Sequence, residues 1–292
     1  SNPQGITISP DSSKVFVACQ GGSQIDVLST TTNTVTDTFN ISYQPEEITY
    51  GGLGRLYVSD NNGNIDSLNP IDGSLVVDLP YSTRAGDLLA ISPNGDTLCS
   101  TRSWTSPSSL ACYDVSTDSP PAPLEKYNVS SYADSIDISG DNSKVYIEGG
   151  GPPYSIKAFR ISDLAQSGEF ITGAYTNSAY DSYQGDKVFI SGGDSSYVWD
   201  PSNYQKKIIL DHNEVKILGG GKDNVTAFAT DGSNLLIYRY TTFVDVPWTY
   251  WAKDWIEALY DAGITGGCNT DPLMYCPDQT VTRAAMATFI ER

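Results

Sequence analysis

Gly5-Ile6-Thr7-Ile8-Ser9-Pro10-Asp11-Ser12-Ser13-Lys14-Val15-Phe16-Val17-Ala18 decides the fold of this 292-residue chain. Ile6 and Ile8 alternate with small or polar residues, a Pro/Asp/Ser turn follows, and Val15-Phe16-Val17 resumes as a β-branched and aromatic run. That pattern is two short strands joined by a tight polar turn. Gln24-Ile25-Asp26-Val27-Leu28 and Asn33-Thr34-Val35-Thr36-Asp37-Thr38-Phe39 supply two more strands, so Gly5 to Ile41 reads as a four-stranded unit. The turn recurs as Gly51-Gly52-Leu53-Gly54-Arg55, Ser92-Pro93-Asn94-Gly95-Asp96, Ser139-Gly140-Asp141-Asn142-Ser143-Lys144, Tyr183-Gln184-Gly185-Asp186-Lys187 and Gly220-Gly221-Lys222-Asp223-Asn224. The positions that close these turns, 14, 55, 97, 144, 187 and 224, are 41, 42, 47, 43 and 37 residues apart. A period near 40 with four strands per unit predicts a β-propeller, here of six blades over residues 1–242. The last unit offers Val215-Lys216-Ile217-Leu218, Val225-Thr226-Ala227-Phe228 and Leu235-Leu236-Ile237-Tyr238 and stops at Thr242, one strand short. A three-stranded blade, capping by N-terminal residues, and strand exchange between subunits at an unpaired edge all fit that pattern.

Composition narrows the setting. The chain carries 17 Lys+Arg against 35 Asp+Glu, a net charge of −18, with no basic cluster, so nucleic acid and anionic lipid surfaces are not expected partners. Hydrophobic residues make up 39% and aromatics 11%, enough for a folded core, and no apolar run approaches the roughly 18 residues of a membrane-spanning helix. The chain opens at Ser1 without a charged-then-apolar leader, which predicts a processed or trimmed product. Ser, Thr, Asn and Gly supply the polar surface in place of charge, which suits an extracellular β protein. Cys99 and Cys112 lie in consecutive strand-like runs, and Cys268 and Cys276 lie eight apart across a Gly/Asn/Pro loop. Both spacings suit disulfides of an oxidising compartment, the alternative being buried free thiols, and Cys19 remains as a buried thiol. One histidine and no C-x-x-C pair argue against zinc. Sequons at Asn40, Asn128 and Asn224 matter only in a glycosylating host.

From Phe243 the apolar period becomes helical. Trp251, Ala252, Trp255, Ile256, Leu259 and Tyr260 define one face of an amphipathic helix that Gly263 ends, and Ala285, Met286, Phe289 and Ile290 define a second after Thr282. A disulfide across the intervening loop would hold a module too small to hold itself by core burial alone.

Two resemblances follow from these residues. Ile8 to Ala18 and Leu56-Tyr57-Val58-Ser59-Asp60-Asn61-Asn62-Gly63-Asn64-Ile65-Asp66-Ser67-Leu68 resemble the YVTN-type repeats of surface-layer and other extracellular propellers. Residues 243–292 resemble a single S-layer homology (SLH) module: Phe243-Val244-Asp245-Val246 opens it, Trp251-Ala252 starts its helix, Gly263-Ile264 forms its turn, and Thr282-Arg283-Ala284-Ala285 stands for its Thr-Arg-Ala-Glu signature. Ala285 in place of Glu removes half of a helix-capping box. The resemblance implies a helix–loop–helix module that attaches to anionic envelope polysaccharide, with Arg283, Thr282, Trp251 and Asp245 as candidate anion-binding or assembly residues. Arg283 in a first helical turn suits a carboxylate, and it equally suits pairing with Asp245 or Asp278. One module where the family commonly carries three implies cooperation between chains or a docking role. The joint from Tyr240 to Phe243 is short, which favours a lattice or filament over a tether.

Catalytic signals are weak. His212, in Asp211-His212-Asn213-Glu214, is the only histidine, and neither a Gly-x-Ser-x-Gly elbow nor a phosphate-binding loop occurs. No cofactor is implied. Acidic turns such as Asp60-Asn61-Asn62-Gly63-Asn64 offer oxygens to Ca²⁺ but lack the full ligand spacing and read as ordinary turns. The expectation is a mainly β, non-enzymatic, extracellular cell-surface protein that assembles with itself into a layer, sheath or filament. The alternatives are a wall-anchored protein whose propeller presents a ligand surface, and a propeller hydrolase of the lactonase kind.

Overall fold

A computed structural model describes residues 2–60, 62–80, 82, 86–103, 105–172, 176–181, 187–192, 196–201, 205–210, 216–220, 226–239, 241–270, 273–284 and 286–287. Blade one is β1 (Pro3–Ile8), β2 (Lys14–Cys19), β3 (Gln24–Ser29) and β4 (Thr34–Asn40). Blade two is β5 (Pro45–Gly51), β6 (Arg55–Asp60), β7 (Ile65–Leu68) and β8 (Leu75–Asp78), and blade three is β9 (Leu88–Ile91), β10 (Thr97–Thr101), β11 (Ser109–Asp114) and β12 (Leu124–Tyr127). Blade four is β13 (Ala133–Ile138), β14 (Lys144–Gly149), β15 (Ser155–Arg160) and β16 (Gln166–Ile171), and blade five is β17 (Thr176–Asp181), β18 (Val188–Gly192), β19 (Ser196–Asp200) and β20 (Gln205–Leu210). The sixth is a three-stranded sheet among the described residues, β21 (Lys216–Gly220), β22 (Thr226–Thr230) and β23 (Leu235–Arg239). Every neighbouring pair within a blade is antiparallel, and the molecule is a six-bladed β-propeller.

The recurring turn has a physical basis. Ser9 Oγ donates to Asp11 Oδ1 at 2.6 Å, the Ser13 N–H donates to the same carboxylate at 3.0 Å, and the Lys14 N–H returns to Ser9 Oγ at 3.0 Å. Ser12, between them, takes the left-handed conformation at φ 59°. Blade four repeats the device with Ser139, Asp141, Ser143 and Lys144, and blade three with Ser92, Asn94, Asp96 and Thr97. Hydrogen bonds from Ser9 and then Ser13 hold the exposed Asp11 carboxyl down at about 2. Glycine is required where turns of adjacent blades meet: the Gly52 N–H donates to Gly95 O at 2.8 Å, and a Cβ on Gly52 would sit 2.4 Å from that oxygen.

Blades pack face to face. Phe16, Ala18, Ile25, Val27 and Phe39 of blade one bury against Ile48, Leu56, Val58 and Leu68 of blade two. Equivalent clusters join blades two to three, three to four, four to five and five to six. Inner-strand hydroxyls stitch some of these contacts: the Tyr50 N–H donates to Thr7 Oγ1 at 3.1 Å, and the Ile217 N–H to Ser178 Oγ at 2.8 Å. The first strands of all six blades surround a channel of about 500 Å³, lined by Ile6, Glu47, Leu89, Asp134, Tyr180 and Leu218 among others.

Cys99 and Cys112 are direct cross-strand partners on β10 and β11 and form a disulfide with a Cα–Cα separation of 4.1 Å. Cys268 and Cys276 form the second, at 6.0 Å, and Cys19 is a buried free thiol.

The last residues form a separate small cluster in which Phe243, Val246 and Ile256 are buried and Tyr260, Leu273 and Tyr275 pack around them. The expected first helix is α1 (Lys253–Asp261). It starts two residues later than its apolar pattern, because Trp251 and Ala252 occupy the preceding turn. Gly263 ends it as expected, at φ 69°, with the Gly263 N–H on Tyr260 O at 2.8 Å and the Ile264 N–H on Leu259 O at 2.9 Å. These two bonds satisfy carbonyls of the last helical turn, as in the Schellman motif. Of the second helix, residues 283–284 and 286–287 are helical, and the Met286 N–H bonds Thr282 O at 2.9 Å. Ala285, Phe289 and Ile290 lie outside the described residues. A two-residue ladder, β24 (Asn269–Thr270) with β25 (Leu273–Met274), lies between the disulfide cysteines.

Replacing Cys99 and Cys112 together by Ala is expected to cost about 2–5 kcal/mol, the usual range for a native disulfide, measured as a lower urea midpoint.

Candidate binding surfaces

Trp251 and Trp255 break the expected helix face. Ile256 and Tyr260 turn inward, while Trp251 is 78% and Trp255 65% exposed, their rings 6.1 Å apart and edge to face. Tyr250 stacks beside Trp251 at 6.1 Å. With Leu259, Tyr275 and Pro277 they line an open groove of about 480 Å³. Exposed indole faces of this kind offer flat apolar area with a polar edge.

The other expected site residues fall elsewhere. Asp245 is structural in its contacts: its two carboxylate oxygens accept from the Tyr275 N–H at 2.8 Å and the Cys276 N–H at 2.6 Å, pinning the disulfide loop to the module's first turn. Thr282 and Arg283 are exposed, and neither they nor Asp245 line the aromatic groove. Thus of the four residues named from the sequence, only Trp251 belongs to the groove. Tyr250 and Trp255 were the missed members; their spacing of one and four residues from Trp251 was the available signal. The joint to the propeller is cationic: Arg239 of β23 lies over the Trp248 ring at 5.1 Å and Lys253 of α1 lies over the same ring at 3.8 Å. Such contacts hold cations against aromatic faces.

A second concavity of about 380 Å³ lies in blade two, lined by Tyr43, Asp60, Asn64, Ile65, Asp66, Asp78 and Leu79. Asp60 does not offer a free ligand set: its oxygens accept from the Asn62 and Asn64 N–H groups at 2.8 and 3.0 Å and from both side-chain amides. Burial raises its carboxyl, but the bonds from Asn64 and Asn62 outweigh burial and leave it below the usual range. Asp66 and Asp78 are cross-strand partners on β7 and β8. Burial, and then the adjoining Asp78, push the Asp66 carboxyl up to about 6 against the lowering effect of Tyr43. Among the described residues no group of three His, Cys, Asp or Glu is placed to hold a metal ion. His212 lies outside the described residues, as does Asn224, while Asn40 and Asn128 are exposed. No helix among the described residues is long and apolar enough to cross a membrane.

No protein-family model and no curated protein matches the chain. Solved structures match in fold. Hydrazine synthase of Kuenenia stuttgartiensis aligns at TM-score 0.63 with 12% identity, over 82% of this chain and 84% of that one. A chain of a mitotic checkpoint complex aligns at 0.68 with 16% identity, over 80% and 75%. The Cps50 (Swd1) β-propeller domain of Myceliophteria thermophila aligns at 0.65 with 11% identity, over 82% and 84%. At these identities the likeness is one of fold alone, and propellers carry many unrelated functions.

The Asp66 carboxyl sets a testable pH dependence. Its folded value of about 6 lies above the unfolded 3.8, so the folded state holds the proton more tightly. This contribution to stability is complete below about 4 and is lost as the pH rises through about 6. Asp66→Asn should therefore match the wild type in melting temperature at pH 3.5 and exceed it increasingly up to pH 7, as read by a thermal-shift series.

Proposed function

We propose that this protein is a secreted, non-enzymatic structural protein of a cell surface that assembles with itself into a layer, sheath or filament. The observation that carries the reading is the sixth blade. Its last strand, β23, presents an unpaired edge among the described residues, and Leu235 and Ile237 are exposed on one face of the same strand. The unpaired backbone N–H and C=O groups of such an edge, beside an uncovered apolar face, template addition of a further chain. The short, aromatic-and-cation joint at Arg239, Trp248 and Lys253 supports a fixed rather than tethered geometry for the last module. Two disulfides are compatible with an extracellular setting. The resemblance of the repeats to YVTN-type surface-layer propellers and of residues 243–292 to an SLH module points the same way.

A second reading is favoured by a specific observation, the exposed Trp251–Trp255 pair beside Tyr250. In it the module holds envelope polysaccharide, with Arg283 supplying charge, and the propeller faces outward.

Negative-stain electron microscopy of the concentrated protein separates the two. Tubes, sheets or filaments are expected; isolated particles at every concentration and salt would remove the assembly reading. For the second reading, Trp251→Ala and Arg283→Ala should each weaken co-sedimentation with purified cell walls by about tenfold, the equivalent of 1.4 kcal/mol. Unchanged sedimentation in both would dispose of the anchor.

A further inference from the structure

The two ends of the blade series carry matching, uncovered apolar faces. By register, Ile6 and Ile8 of β1 pair with Val17 and Val15, as Ile136 and Ile138 of β13 pair with Ile147 and Val145 in blade four. Ile136 and Ile138 are 8% and 3% exposed, because blade three sits on them. Ile6 and Ile8, in the same positions, are 67% and 50% exposed. Val35 of β4, across from Leu28, is exposed too. Blade one therefore has the face that receives a preceding blade, with none seated on it among the described residues.

Blade six shows the converse. Phe228 of β22 pairs with Ile237 of β23 as Phe16 pairs with Val27 in blade one. Phe16 and Val27 are buried against blade two, whereas Phe228 is half-buried and Ile237 is 58% exposed. Leu218 and Leu235 are exposed as well. Five clusters join consecutive blades, and among the described residues none joins blade six to blade one. The chain's own blade six contributes Leu218 to the channel that Ile6 also lines, yet its outer face and that of blade one stay open.

We propose that the open face of blade one, centred on Ile6 and Ile8, docks the open face of blade six, centred on Phe228 and Ile237, of a second copy of this chain. The occupant is identified by the molecule's own construction. The interface between blades three and four places Cys112, which holds the position of Ile237, in one cluster with Ile136 and Ile138. The interface between blades one and two does the same with Val27, Ile48 and Tyr50. The surface that fits blade one is thus the following face of a like blade. The two faces carry opposite charges, Asp26 on the blade-one face and exposed Arg239, whose guanidinium also lies over Trp248, on the blade-six face. Because the two faces differ, the contact is heterologous: each copy uses one face and offers the other, so copies add head to tail. This rests on the self-assembly reading above and names its joint.

The test mixes two singly substituted proteins, Ile8→Cys and Ile237→Cys, distinguishable by isotope label, under mild oxidation. Wild type, whose one free thiol Cys19 is buried, is the control. Expected is a disulfide-linked heterodimer joining positions 8 and 237, at least about tenfold more abundant than either homodimer, a preference equivalent to 1.4 kcal/mol. A doubly substituted variant that cross-links only within itself, running as a monomer, would show that the ring closes on its own chain and overturn the proposal. Polymers seen by microscopy with no cross-link between 8 and 237 would place the joint elsewhere and overturn it while leaving self-assembly intact. Neither polymers nor cross-links would overturn both.

Discussion

A propeller blade is a sheet with two apolar faces, and each face needs a neighbour. In this chain that constraint is met five times by the succession of blades along the sequence. Residues such as Phe16, Leu56, Leu98, Val145, Val188 and Ala227 are buried on the middle strands of their blades because a flanking sheet covers each one. Burying a Val, Leu or Phe side chain in this way contributes about 1.5–3 kcal/mol. A linear series of six two-faced sheets has two terminal faces, and closing the ring or adding another molecule are the ways to cover them. The exposure of Ile6, Ile8 and Ile237 is the residue of that arithmetic, not an accident of surface composition.

The local devices serve the same end. Each Ser-x-Asp or Ser-x-Asn turn between the first and second strands uses side-chain oxygens to satisfy backbone N–H groups that the ladder leaves unpaired. The turn thereby fixes the register of the inner hairpin, and register decides which residues reach which face. A slip of one residue at Ser9–Lys14 would exchange the Phe16/Ala18 face for the Val15/Val17 face. The cross-strand disulfide locks the corresponding register in blade three, with Cys99 and Cys112 pointing into the contact with blade four.

These are the features that the sequence carries openly. Ser9-Pro10-Asp11-Ser12-Ser13-Lys14 and its copies show blade number and strand order because a turn needs particular side chains at particular places. Cys99 and Cys112 could be paired because alternation placed them on adjacent strands. The helix C-terminus was legible in Gly263 for the same reason: one residue type suits a positive φ. Exposure was not legible. Ile6 and Ile136 look alike in sequence, and whether a blade covers either is a property of the whole ring. The helical pattern likewise grouped Trp251 and Trp255 with Ile256 and Tyr260, although a cluster as small as that around Phe243 covers only part of an aromatic stripe. Asp245 read as a binding group because an exposed carboxylate and a loop-pinning one have the same letter; its role follows from the Tyr275 and Cys276 N–H groups that approach from thirty residues away.

Charge constrains how such molecules meet. A chain of net charge −18 repels its copies, and at physiological ionic strength that repulsion is screened beyond about 8 Å. Association therefore depends on surfaces where apolar contact outweighs local repulsion. The charged turns, among them Asp11, Asp72, Asp114, Asp141 and Asp231, lie at strand ends, where hydrogen bonds to nearby Ser or Asn groups keep their carboxyls ionised. The open faces of blades one and six run instead through Ile6, Ile8, Val15, Val17, Leu28, Phe228 and Ile237, with Asp26 facing Arg239 in sign. The acidic turns at the strand ends keep the molecule apart from its copies in most orientations. The proposed orientation, sheet face on sheet face, is the one in which a contact between copies would repeat the contact that already joins consecutive blades within each one.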